Sequence, residues 1–63
     1  MQTKIKEYRE KENMTQEELA EKSGVSRTTI SYLENGLLNS TTNTTMLKIA
    51  NALNCKVNEI FLL

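Results

Sequence analysis

Apolar residues recur along this chain at helical spacing, broken by short polar intervals. Ile5 and Tyr8 stand three apart and Met14 follows them. This predicts a first helix over about Thr3–Asn13, with Lys4, Lys6, Glu7, Glu10, Lys11 and Glu12 as its solvated face. Leu19 and Ala20 mark the inward side of a second helix, about Gln16–Ser23. Ile30 and Leu33, at i and i+3, mark a third, about Arg27–Asn35. Met46, Ile49, Ala50 and Leu53 follow i, i+3, i+4, i+7 and predict a fourth over about Thr45–Leu53. Val57, Ile60 and Phe61 close the core from a short fifth helix, Asn58–Leu62. The pattern is all-α.

End signals sharpen the middle of this series. Thr15 can cap the second helix, and Glu18 three residues on completes a capping box. Gly24 stands where a helix-ending residue must turn left-handed, a shape glycine takes at least cost. Ser26 can cap the third helix and Gly36 can end it. Asn13 is a tolerable terminator for the first helix, and Asn54 with Cys55 ends the fourth. Thr15–Gly36, TQEELAEKSGVSRTTISYLENG, therefore reads as two short helices across a tight turn, with a small Ala20 where they cross. That bihelical unit can place its second helix in the DNA major groove.

The same stretch resembles the helix-turn-helix of phage-repressor-type (Cro/CI-like) regulators, also called the xenobiotic-response-element type. Gln16, Leu19, Ala20, Gly24, Val25, Ser26, Ile30, Leu33, Glu34 and Gly36 carry the match. IKEYREKENM and LKIANALNCKVNEIF resemble that family's first helix and its last two, so the likeness covers nearly the whole chain. It implies a compact five-helix, lambda-repressor-like DNA-binding domain over residues 1–63, with the helix-turn-helix as its second and third helices. It further implies that Arg9 pairs with Glu34 and fixes the first helix against the third. An arginine suits that role because its planar fork meets a carboxylate with two parallel bonds. Asn35 resembles the family's phosphate-contacting asparagine, though the residue can equally cap the helix.

Composition changes the picture in two places. Sixty-three residues allow one small core with a thin margin of stability. The single cysteine permits no internal disulfide, and without a signal peptide it fits a reducing cytoplasm. No apolar run approaches the roughly 20 residues that span a bilayer. Charge is the second place: eight basic and eight acidic residues cancel, whereas nucleic-acid binders are often basic. Residues 15–36 carry Lys22 and Arg27 against four glutamates, a net −2, and the flanks on each side carry +1. Binding must then depend on where charge sits.

Arg27 is the leading base contact, bidentate to guanine N7 and O6, since the start of a recognition helix reaches base edges. Ser26 and Thr28 can bond to several bases. Tyr32 can reach sugar, phosphate or base, and can equally cover the core edge. Thr15, Gln16, Ser31, Asn35 and Asn39 are the expected phosphate contacts, Gln16 as a neutral donor beside free N–H groups at a helix start. The segment Leu37–Thr45, LLNSTTNTT, lacks the basic residue and proline that the resembling family often carries there. Its amides and hydroxyls release few counterions, so salt dependence should be shallow. Leu37 and Leu38 either tuck under this loop or stand exposed.

Ile60, Phe61, Leu62 and Leu63 cannot all face inward from one helical turn, so they are the expected surface of a homodimer. Pairing doubles the contacts and sets half-sites about one turn of DNA apart. The leading function is a sequence-specific regulator, a repressor on a palindromic operator. The competing one is a helix-turn-helix that binds protein, as an antitoxin-like or anti-repressor module, which the acid-rich unit favours slightly. Catalysis is not expected: histidine and aspartate are absent, Cys55 has no base near it in sequence, and metal-ligand spacing and a phosphate loop are missing. No cofactor, metal, membrane or small-molecule ligand is expected. Cys55 is expected to be a partly buried apolar filler.

Overall fold

A computed structural model describes residues 1–62. Its framework is α1 (Ile5–Lys11), α2 (Gln16–Ser23), α3 (Arg27–Glu34), α4 (Asn43–Ala52) and α5 (Val57–Ile60), as the apolar spacing predicts in number and order. Two short strands, β1 (Gln2–Thr3) and β2 (Phe61–Leu62), pair antiparallel with Gln2 opposite Leu62 and Thr3 opposite Phe61.

The helix-turn-helix is built by its local chemistry. Thr15 is extended, its Oγ1 accepts from the Glu18 N–H at 3.0 Å, and Glu18 Oε1 accepts from the Thr15 N–H at 2.9 Å. Gly24 ends α2 at φ 75°, a left-handed shape that a side chain would strain. Ser26 Oγ accepts from the Thr29 N–H at 3.1 Å and opens α3. Asn13 and Asn54 take φ 55° after α1 and α4, the places where glycine is commoner. At both ends the N–H two places past the cap residue, Glu12 or Leu53, reaches back five residues: Met14 to the Arg9 carbonyl and Cys55 to the Ala50 carbonyl, each at 3.0 Å.

Ile5, Leu19, Val25, Ile30, Leu33, Ile49, Leu53, Ile60 and Phe61 meet in one buried core with Met46, Ala50 and Ala52. The inward residues named from the periodicity are all in or against it. Boundaries differ from the spacing at one local cap and at the strand pair. Helix α4 begins at Asn43, because Thr42 Oγ1 and not a later hydroxyl accepts from the Thr45 N–H at 3.2 Å. Helix α1 begins only at Ile5 and α5 stops at Ile60, because Gln2–Thr3 and Phe61–Leu62 are drawn into the two-stranded pair. The pair also steadies α3: Thr3 Oγ1 donates to the Leu33 carbonyl at 3.2 Å.

This corrects the expected dimer surface. Ile60 and Phe61 are 0% and 2% exposed and belong to the core. Extended backbone at Phe61 turns successive side chains to opposite sides, so Phe61 goes in while Leu62 stays 42% exposed. Leu63 lies outside the described residues. Leu37 stands out at 66% exposed, and Leu38 packs against the core.

Candidate nucleic-acid interface

Helix α3 separates its residues by face. Ile30 and Leu33 are buried. At 100° per residue, Arg27, Thr28, Ser31, Tyr32 and Asn35 fall on the other side. Four of these, Arg27, Thr28, Ser31 and Tyr32, line one shallow polar depression of about 330 Å³ together with Gln16 from α2. Arg27 is exposed and takes part in no ion pair among the described residues. Tyr32 is 46% exposed, so its ring is not sealed into the core.

The remaining expected contact residues lie outside that depression. Thr15, Ser26, Asn35 and Asn39 are exposed. The Ser26 hydroxyl is occupied as the α3 cap and also donates to Thr29 Oγ1 at 2.9 Å. The Asn35 amide donates to the Ser31 carbonyl at 2.8 Å, which closes the end of α3. Both groups serve the helix before they serve a ligand.

Behind the depression, one carboxylate joins three elements. Glu34 Oε2 accepts from Arg9 Nε at 2.8 Å, and Oε1 accepts from Arg9 Nη2 at 3.2 Å and from Gln16 Nε2 at 3.1 Å. Arg9 Nη1 also donates to the Met14 carbonyl at 2.6 Å, just ahead of α2. The Arg9 and Glu34 side chains are 11% and 3% exposed. Hydrogen bonding to Glu34 raises the Arg9 pKa, with partial burial working against it and the Glu34 and Glu10 charges adding to it. The sequence leaves the Gln16 side chain free for phosphate and does not reveal this link, because no local signal reports a partner 18 residues away.

This hub also revises the electrostatics. Glu34 contributes one of the four negative charges of residues 15–36, yet it is covered and neutralised by Arg9. Glu18 and Glu21 line a separate depression of about 390 Å³ with Met14 and Lys22. The face around Arg27 is thus less acidic than the segment total implies.

A second surface forms on α4 and α5. Leu47, 52% exposed, borders an apolar hollow of about 500 Å³ with Ala50, Cys55, Lys56 and Val57. Val57 and Asn58 continue it into a smaller hollow of about 360 Å³ walled by Phe61 and Leu62. Leu47 lies one residue off the buried stripe of α4, so the helical periodicity does not single it out. Cys55 is half-buried, its Sγ 3.7 Å from the Ala50 carbonyl, and burial pushes its pKa up, with the Glu59 and Glu12 charges adding to the shift. It is a packed thiol with little thiolate character at neutral pH. Among the described residues, no group of three His, Cys, Asp or Glu could hold a metal ion, and no helix is long and apolar enough to cross a membrane.

Comparison with known proteins bears on the same unit. The family described as "Helix-turn-helix" matches residues 5–60. The chain is 50% and 45% identical, over 62 residues each, to two uncharacterised HTH-type transcriptional regulators of Archaeoglobus fulgidus. Those matches cover 98% of this chain and 86% and 87% of the relatives. An uncharacterised HTH-type transcriptional regulator of Methanocaldococcus jannaschii is 42% identical over 62 residues, covering 98% of this chain and 92% of the relative.

Proposed function

Because this chain belongs to the Cro/CI-type (xenobiotic-response-element) helix-turn-helix family of DNA-binding transcriptional regulators, we propose that it is a sequence-specific repressor. In this reading it acts in the cytoplasm as a homodimer and binds a palindromic operator through the major groove. The observation that carries the reading is the cluster of Gln16, Arg27, Thr28, Ser31 and Tyr32 around one open depression on α3.

Each residue has a role that its chemistry suits. Arg27, exposed and at the start of α3, forks onto guanine N7 and O6, and Thr28 beside it offers a methyl to thymine and a hydroxyl to either base. Tyr32, one turn on, contacts base or sugar. Gln16, Thr15, Ser31, Asn35 and Asn39 hold phosphates, helped by the free N–H groups at the start of α2. Ser26 reaches a base only if its hydroxyl turns away from Thr29. Dimerisation is assigned to the α4–α5 surface around Leu47, Val57 and Leu62, in place of Ile60 and Phe61. A single module reads too few base pairs to select a genomic site, so pairing serves specificity.

Selection of bound duplexes from a random pool, followed by sequencing, tests the reading. Two inverted half-sites about one helical turn apart support it. Recovery of no preferred sequence overturns it and moves the assignment to a protein-binding module, which the apolar α4–α5 surface would then serve.

A further inference from the structure

Gln16 sits in two places at once. It lines the open depression with the base-reading candidates, and its amide nitrogen donates to Glu34 Oε1 at 3.1 Å. Gln16 is the first residue of α2 and Glu34 the last of α3. Glu34 is 3% exposed at its side chain and takes two further N–H bonds from Arg9, so it does not move to suit a ligand.

An ionised carboxylate accepts only. It therefore sets the orientation of the Gln16 amide, since the flipped amide would turn oxygen toward oxygen. One N–H and the carbonyl oxygen of that amide are left for a ligand. A solvated glutamine would have neither this orientation nor this attachment.

From these contacts we infer that Gln16 is a positioning residue for base reading, which fastens the phosphate-holding start of α2 to the reading helix α3 through Glu34. The inference rests on the DNA-reading function proposed above and goes beyond it. A phosphate contact alone is indifferent to sequence. One anchored to the far end of α3 fixes how Arg27 meets its base, so the two contacts are energetically coupled.

The experiment measures affinity for the selected duplex and for the same duplex with the Arg27-read guanine replaced. The proteins are the full chain, Gln16→Met, Gln16→Ala, Arg27→Ala and the double variant Gln16→Met/Arg27→Ala. Methionine keeps the length of the side chain and loses its hydrogen bonds. Both Gln16 variants should weaken binding to the selected duplex roughly tenfold, the scale of one bond to a charged partner. They should also lower the ratio between the two duplexes by roughly threefold or more, and the double variant should lose less than the product of the single losses. Equal weakening on both duplexes with multiplying single losses would mark a plain phosphate contact and overturn the inference. A lowered melting temperature with an unchanged ratio would mark a purely structural residue and overturn it as well. A wild-type chain that selects no duplex overturns the DNA-reading function itself, and does so before any variant is made.

Discussion

Arg9 and Glu34 face each other across 25 residues of sequence, Nε to Oε2 at 2.8 Å and Nη2 to Oε1 at 3.2 Å, both side chains nearly sealed from solvent. The pair locks α1 onto the end of α3. Replacing a buried pair with apolar groups is often neutral, but removing one partner strands a charge and destabilises by about 3–5 kcal/mol. In a domain with only a few kcal/mol to lose, Arg9→Ala should leave the chain largely unfolded at 25 °C, read by circular dichroism and urea titration. Arg9→Leu/Glu34→Leu should recover a good part of the loss.

Arg27 contributes nothing to the core, so its substitution separates reading from folding. Arg27→Ala should keep the wild-type melting temperature. It should relax the guanine preference at one position per half-site by about 1–3 kcal/mol. Competition binding with duplexes varied at single positions measures this.

Salt dependence tests how little net charge the interface uses. Arg27 is the one basic residue at the depression, and the others are neutral. Even counting Arg27 of both protomers at about −0.9 each, log K against log salt should be no steeper than about −2 for the dimer. Mobility shifts from 50 to 200 mM salt would show it.

Phe61 and Leu62 are neighbours with opposite fates. Phe61→Ser removes a 2% exposed aromatic and should destabilise the fold by about 3–5 kcal/mol. Leu62→Ser and Leu47→Ser should leave the melt near wild type and weaken self-association in sedimentation equilibrium.

Cys55 sets an expectation for pH. Its pKa is raised in the folded chain above the ordinary 9.0, mainly by burial. The folded state therefore holds the thiol proton to higher pH than the unfolded chain does. The resulting stability is fully present below pH 9 and is lost as pH rises through the folded value. Urea midpoints should be insensitive to this group from pH 6 to 8 and fall above 9, and Cys55→Ala should reduce that fall. Arg9, raised as well, titrates too high to add slope in this range.

The helix-turn-helix was legible in the sequence because its determinants are local. A capping threonine with Glu18 three residues on, a glycine where the chain turns left-handed, and apolar residues at i and i+3 each act within a turn or two. They specify five helices in the right order, and they put Arg27, Thr28, Ser31 and Tyr32 on the outer side of α3. The family resemblance supplied the Arg9–Glu34 pair, which spacing alone does not reveal. Three features were decided only when distant segments met. Gln2–Thr3 could pair only once α5 brought Phe61 alongside, and that pairing turned Phe61 inward and left Leu62 out. Gln16 meets Glu34 only because the packing of α2 on α3 brings the first residue of one beside the last residue of the other. The exposed Leu47 joined Val57 and Leu62 in one surface only through the packing of α5 on α4. Helix starts and turns depend on neighbours a few bonds away. Which face is covered, and which charge is answered, depends on partners that a linear pattern does not name.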